Sequence, residues 1–227
     1  MTAESEGTIL YLGLELPEHL KTKDIVHFPI IQIIPEDLTS ECIQEAFKGF
    51  SEYTHLIFTS KNAVRLFFKC LELFNMQSPM QKKQIISVGH ATTHLLEKEG
   101  VVVSYTALEE TAEGVIQILK TLPLEKAFIF WPHARRARSV ISDYLAVREV
   151  KFRDCILYDT KTQTSGQPPD LTSIKEIIFT SPSTIDAFIE TYGDLPSEKK
   201  ITTIGPITRA HYSFLSSKRN SVPSGDI

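Results

Sequence analysis

Apolar residues fall in short runs along this chain, and between them they recur at helical spacing. The apolar runs predict strands at Thr8 to Leu14, His27 to Ile34, Tyr53 to Phe58, Ile85 to Val88, Val101 to Tyr105, Ala127 to Trp131, Lys151 to Tyr158, Glu176 to Phe179 and Ile201 to Ile204. The stretches between them predict helices over Leu38 to Phe50, from Ser60 onward, and over His90 to Glu99, Ala112 to Thr121, Ala134 to Val147, Ser183 to Tyr192 and Ile207 to Ser217. Ile43, Ala46, Phe47 and Phe50 share one face of the first helix. Ser60 and Thr111 sit where N-caps belong, and Gly100 sits where a left-handed residue stops a helix. Alternating apolar strands and helices predict parallel sheets covered by helices on both faces.

Part of the pattern occurs twice. LIFTSKNAVRLFF (Leu56 to Phe68) returns as IIFTSPSTIDAFI (Ile177 to Ile189), and IISVGHATTHLL (Ile85 to Leu96) as ITTIGPITRAHY (Ile201 to Tyr212). The apolar stripe Val64, Phe67, Phe68 and Leu71 returns at one constant spacing as Ile185, Phe188, Ile189 and Tyr192. The fold class this predicts is α/β: two similar domains with parallel sheets flanked by helices, joined by a two-stranded connector, with a cleft between them. A domain starting at Ser173 would hold too few residues for a core, so the N-terminal strands must supplement it. The expected division is residues 1–34 plus 162–227 as a discontinuous domain, with residues 37–158 inserted. The chain would cross between them at Pro29 to Pro35 and at Cys155 to Lys161, and Thr160 to Ser173 reads as a linker.

The bulk numbers mostly exclude. The 227 residues carry a net charge of −4, which gives no reason to expect nucleic acid. No apolar run reaches the length of a membrane span, and MTAESEG lacks the pattern of a signal peptide. Three cysteines without metal-ligand spacing read as reduced thiols of a cytoplasmic protein.

The chemistry concentrates at the repeated loops. In FTSKN and FTSPS a strand ends in Thr-Ser and a helix begins at once, and its free N–H groups suit an anion. In VGHAT and IGPIT, Gly89 and Gly205 allow close backbone approach, and Thr92 and Thr208 offer hydroxyls in a first helical turn. Any one of Ser60, Ser181, Thr92 and Thr208 taken alone reads as a helix cap. Four such loops in two repeated pairs read as ligand-binding. Arg135, Arg136 and Arg138 are expected in the first turns of a helix, where the macrodipole opposes them; they read either as an anion site, which relieves that conflict, or as a solvated basic face. His133 could bind an anion or bridge a loop. His90 and His94 lack a third ligand for zinc, and no dinucleotide fingerprint, phosphate loop or nucleophile elbow occurs. The residues by themselves point to a two-domain clamp for an anionic ligand.

FTSKNAV, VGHAT, ETAEG (Glu110 to Gly114), RAR (Arg136 to Arg138), ILYDT (Ile156 to Thr160), FTSPSTI and IGPIT together resemble the uroporphyrinogen-III synthases of tetrapyrrole biosynthesis, in order and spacing. The resemblance implies a lyase without cofactor or metal that cyclises hydroxymethylbilane, a linear tetrapyrrole with eight carboxylates. Loss of its terminal hydroxyl as water leaves an azafulvene-type end, which the substituted carbon of ring D attacks to give a spiro intermediate. Fragmentation and re-closure then invert ring D. Holding a floppy chain in a reactive fold would supply part of the acceleration.

By the same resemblance, Tyr158 is the catalytic candidate, assisting departure of the hydroxyl. The substrate-binding set is Thr59, Ser60, Lys61, Gly89, Thr92, Arg136, Arg138, Thr180, Ser181, Ser183, Gly205 and Thr208. A monomer is implied, with transient contact to the preceding pathway enzyme and no membrane or nucleic-acid partner. The chain departs from the family in three places. LGLELP (Leu12 to Pro17) lacks the Arg many relatives carry, PHARRAR replaces PRGDRAR, and the C-terminus ends early at RNSVPSGDI. The alternative is a non-catalytic two-domain binding protein for a polycarboxylate or tetrapyrrole ligand.

Overall fold

A computed structural model describes residues 8–21, 24–76, 80–196 and 198–220. MTAESEG and the last seven residues, on which the reading of the chain ends rested, lie outside the described residues. In chain order the strands and α-helices are β1 (Thr8–Tyr11), β2 (Ile25–His27), β3 (Ile31–Pro35), α1 (Glu41–Lys48), β4 (His55–Phe58), α2 (Lys61–Leu73), β5 (Gln84–Ser87), α3 (His90–Lys98), β6 (Tyr105–Thr106), α4 (Ala112–Thr121), β7 (Phe128–Ala134), α5 (Val140–Val147), β8 (Lys151–Thr162), β9 (Ile174–Phe179), α6 (Pro182–Tyr192), β10 (Lys200–Thr203) and α7 (Pro206–Asn220). The chain separates into two compact units, Ile33–Asp159, and Met1–Gln32 with Thr160–Ile227.

The continuous unit is built on a six-stranded sheet in the order β3-β8-β7-β4-β5-β6. The pairs β4·β5, β4·β7, β5·β6 and β7·β8 are all parallel. All four residues of β4 are buried, because helices cover both faces. Leu56, Phe58 and Phe130 pack with Phe47 and Phe67 on one face. Ile57, Ile129 and Trp131 pack with Val115, Leu119, Ile141 and Leu145 on the other. Each fully buried phenylalanine contributes roughly 1.5–3 kcal/mol over an exposed one. A buried lysine completes the first core: Lys83 Nζ donates to Phe50 O (2.8 Å) and Tyr53 O (2.6 Å) and lies 4.6 Å from the Phe50 ring centroid. It satisfies carbonyls that a short 3-10 turn leaves free.

The discontinuous unit holds a four-stranded sheet, β10-β9-β1-β2, again parallel throughout. Leu10, Ile177 and Phe179 pack with Ile185 and Phe188 of α6, so the repeated stripe is a core stripe in this unit as well.

Several elements differ from the pattern. The expected strand His27 to Ile34 is two strands, β2 and β3, and the first strand stops at Tyr11 rather than Leu14. The first helix is shorter than Leu38 to Phe50, since Gly49 ends it and a 3-10 turn follows. Val101 is not the start of a strand. Its N–H returns to Leu96 O (3.0 Å) and that of Gly100 (φ +77°) to Glu97 O (3.0 Å), the paired bonds of a left-handed helix stop. The expected linker begins later, because β8 runs on through Thr162.

The largest correction concerns WPHARRAR. The helix expected from Ala134 begins only at Val140, and β7 extends to Ala134. Pro132 is tolerated inside β7 for a geometric reason. Phe128 directs both its N–H and its C=O toward Thr54, so the even-numbered residues of β7 face β4, where pairing stops at Phe130. The missing N–H of Pro132 therefore removes no ladder bond. Arg135, Arg136 and Arg138 lie in the connection after the strand, and the helix-dipole conflict does not arise.

Candidate functional site

Parallel strands place all their exits on one edge of a sheet, and in the continuous unit that edge collects the first copy of the repeated loops. Ser60 is the N-cap of α2, and its Oγ accepts from Ala63 N–H at 3.0 Å. The same Oγ lies 2.8 Å from Tyr158 Oη. Tyr158 reaches it from β8, where it pairs with Ala134, and only 4% of its surface is exposed. Burial pushes its phenol pKa up, and the Ser60 hydrogen bond offsets this in part, so the phenol stays protonated across the neutral range. Thr59, one residue earlier, accepts from Trp131 Nε1–H at 3.3 Å. An indole can only donate, so the Thr59 hydroxyl hydrogen is left for another acceptor. Lys61 opens α2 and is half-buried.

The exit of β5 is tied to that of β4 through Val88 N–H to Phe58 O (2.9 Å). Gly89 is buried, and a Cβ there would collide with the Glu110 side chain, whose Oε1 accepts from His90 N–H at 2.8 Å. The glycine thus leaves room for the Glu110 carboxylate at the start of α3. Thr92 is buried in the first turn of α3, and its N–H bonds to Gly89 O at 3.1 Å. Ser87, Thr93 and Thr106 join their hydroxyls beneath it, Thr93 Oγ1 lying 2.7 Å from Thr106 Oγ1.

The three arginines after β7 each meet a carboxylate of the same unit. Arg135 binds Glu36 through Nε (3.0 Å) and Nη2 (2.8 Å), and its N–H donates to Tyr158 O at 2.7 Å. Arg136 Nε lies 3.4 Å from Asp159 Oδ1. Arg138 grips Glu113 with both ends of its fork, at 2.6 and 2.7 Å, and this holds the Glu113 carboxyl at about 2. His133 is buried and stacks on Trp131 with centroids 4.1 Å apart. Its Nδ1 meets Ala134 O at 2.8 Å, while Nε2 lies 3.5 Å from Asp154 Oδ2, outside hydrogen-bond geometry.

The discontinuous unit carries the second copy on its own strand exits. After β9, Thr184 is fully buried; its Oγ1 accepts from the N–H groups of Thr180 and Ser181 (both 3.2 Å) and donates to Ser181 O (2.7 Å). Ser181 Oγ and Ser183 Oγ lie 3.1 Å apart. After β10, Gly205 takes φ +80°, a left-handed turn that a side chain would strain, and Thr208 is buried behind it. After β1, Gly13 packs so tightly that a Cβ would come within 2.7 Å of Thr180 Cγ2, and Gly13 O is 2.8 Å from His27 Nε2.

Thr59, Ser60, Gly89, Thr92, Arg136, Arg138 and Tyr158 thus share one unit, and Thr180, Ser181, Ser183, Gly205 and Thr208 the other. Sequence reasoning passed over Gly13, Thr184 and the Trp131–Thr59 contact. Thr184 was legible as the partner of a capping box, three residues after Ser181. Gly13 and Trp131 leave no local signature. Among the described residues there is no cluster of histidine, cysteine and carboxylates able to hold a metal, and no helix is long and apolar enough to cross a membrane.

Each of the two α/β units lines its strand exits with hydroxyls, glycines and helix starts, where free backbone N–H groups can receive an anion. The chain belongs to the uroporphyrinogen-III synthase family: the family model described as uroporphyrinogen-III synthase HemD matches residues 21–225. It is 27% identical over 205 residues to a porphyrin biosynthesis protein HemD of Ruminiclostridium josui, covering 86% of this chain and 39% of that protein. This chain therefore spans about two-fifths of that relative's length. It is 25% identical over 189 residues to a putative uroporphyrinogen-III synthase of Methanothermobacter thermautotrophicus, covering 74% of this chain and 72% of the relative. Its fold resembles the crystal structure of uroporphyrinogen-III synthetase from Helicobacter pylori, with TM-score 0.63, 17% identity and coverage of 94% and 89% of the two chains. A mutant uroporphyrinogen III synthase from Thermus thermophilus gives TM-score 0.67 at 13% identity, with 92% and 89% covered.

Proposed function

We propose that this chain is a uroporphyrinogen-III synthase, which cyclises hydroxymethylbilane with inversion of ring D and loss of water. The observation that carries the reading is the hydroxyl pair Ser60–Tyr158 at a strand-exit edge, within the stretch the family model matches. Loss of the terminal hydroxyl calls for a hydrogen-bond donor beside the departing oxygen, and this pair supplies one. The domains are residues 1–34 with 162–227, and 37–158. Thr59, Ser60, Lys61, Gly89, Thr92, Arg136 and Arg138 of one unit, and Thr180, Ser181, Ser183, Gly205 and Thr208 of the other, take the substrate's carboxylates. Arg136 is the guanidinium best placed to exchange partners, since its contact with Asp159 is long and the side chain is 60% exposed. The protein acts as a cytoplasmic monomer on a small-molecule substrate, without cofactor, and meets the preceding pathway enzyme in passing.

A non-catalytic binder of a polycarboxylate is the second reading. It is favoured by Arg135 and Arg138 already being held by Glu36 and Glu113. One assay separates the two. Hydroxymethylbilane is generated in situ, the protein is added, and the oxidised products are resolved as uroporphyrin isomers. A dominant type III isomer establishes the synthase. Type I alone from a folded sample leaves the binder, to be followed by titration with uroporphyrin.

A further inference from the structure

We propose that Ser60, not Tyr158, is the group that touches the departing hydroxyl, and that Tyr158 acts only through Ser60. The inference rests on the synthase reading and refines it. It follows from where the hydrogens of the two hydroxyls can go.

Ser60 Oγ has two lone pairs and one hydrogen. One lone pair receives Ala63 N–H at 3.0 Å. Tyr158 Oη lies at 2.8 Å and is the other hydroxyl in contact with this atom among the described residues. If Ser60 donated to Tyr158, the phenol hydrogen would have to find a second acceptor. Tyr158 is 4% exposed, and the one hydrogen-bond partner of its Oη among the described residues is Ser60. The arrangement that satisfies every atom therefore has Tyr158 donating to Ser60. Ser60 then accepts twice and turns its own hydrogen outward. Ser60 is half-buried and stands at the start of the thirteen-residue helix α2, beside the Thr59 hydroxyl, which accepts from Trp131 Nε1–H and keeps its own hydrogen to donate. Two adjacent hydroxyls are thereby both turned into outward donors by groups behind them.

The proton balance closes on the same chain. As the carbon–oxygen bond breaks, the electron pair stays on oxygen, which takes the Ser60 proton and leaves as water. Ser60 takes the Tyr158 proton in the same movement. The proton released from ring carbon when the macrocycle closes restores the phenol. Tyr158 is thus a positioning and resupplying residue, and Ser60 is the donor.

The test is a double-mutant cycle on the full chain in the coupled assay. Ser60→Gly removes the hydroxyl while keeping a residue type that helix N-caps tolerate. It should lower kcat roughly a hundredfold; the melting temperature should fall as well, because the buried Tyr158 phenol loses its acceptor, and the double variant carries no such orphan. Tyr158→Phe should lower kcat about tenfold or more with KM unchanged. The double variant should be no slower than Ser60→Gly alone, because the phenol then has nothing to act through. Ser60→Thr, which keeps the hydroxyl, should recover most of the turnover. If Tyr158→Phe slows Ser60→Gly by the same factor as it slows the parent, the phenol acts directly and the inference is overturned. Equal rates for Tyr158→Phe and the parent overturn it too. Type I product alone from the parent protein removes the synthase reading itself, and this inference with it.

Discussion

Trp131 donates its indole N–H to Thr59 Oγ1 across 3.3 Å while its ring carries the stacked imidazole of His133. One side chain on β7 thereby sets the hydroxyl at the exit of β4. Trp131→Phe keeps the stack and most of the packing but removes the donor. It should cost about 1 kcal/mol of stability, read by denaturant unfolding. Trp131 is the only tryptophan of the chain and is 3% exposed, so native emission should be blue-shifted. Adding uroporphyrinogen or another tetrapyrrole polycarboxylate should change that emission in the parent. A change that persists undiminished in Thr59→Val would show that the ligand signal does not come through Thr59.

Gly89 is extended rather than left-handed, so its lack of a side chain matters for space alone. Gly89→Ala should push Glu110 away from His90 N–H and destabilise the protein by about 1–2 kcal/mol. Glu110→Ala in the Gly89→Ala background should recover part of that loss, because the clash disappears with the side chain. Urea unfolding of the two single variants and the double variant measures it; strictly additive losses would contradict the contact.

The Arg138 fork holds the Glu113 carboxyl at about 2, against an ordinary 4.5. The folded-state value is depressed, so the pair's stabilisation is fully present above about pH 4.5 and is lost as pH falls toward 2. Both side chains are 45% exposed, and salt should weaken the effect. A carboxyl-detected NMR titration should place the Glu113 midpoint near 2 and move it back toward the ordinary range in Arg138→Ala.

His55 has the opposite chemistry and the same sign. It is buried on β4, with Nδ1 2.7 Å from Thr54 Oγ1, and burial lowers its pKa. Above about pH 6.5 neither folded nor unfolded chain charges this group, so it costs nothing. Below that, the unfolded chain takes up a proton that the folded one resists, and stability falls by up to about 1.4 kcal/mol per pH unit. His55→Gln should flatten the stability profile between pH 6.5 and 5. An unchanged profile would mean that another group governs this range.

What the chain order alone determined was considerable, and the reason is local. A strand ending in Thr-Ser before a helix, a glycine after a strand, and an apolar stripe repeated at constant spacing are set by residues a few positions apart. Ser60, Thr111, Gly100 and both repeated stripes accordingly stand where the pattern placed them, and so does the parallel α/β character of the chain. The misreadings came where a distant segment decides. Arg135 to Arg138 look like the start of a helix until β8 lies alongside and draws β7 on to Ala134, and until Pro132 finds a position where no ladder bond is missed. Val101 looks like a strand residue until its N–H closes the end of α3. The partners that define the candidate site are all remote in sequence: Tyr158 against Ser60, Trp131 against Thr59, Glu113 against Arg138, Glu110 against Gly89. No periodicity encodes such meetings, because they arise only when parallel strands bring their exits to one edge. Sequence supplied the hydroxyls and the helix starts; tertiary packing decided which hydroxyl is buried behind which.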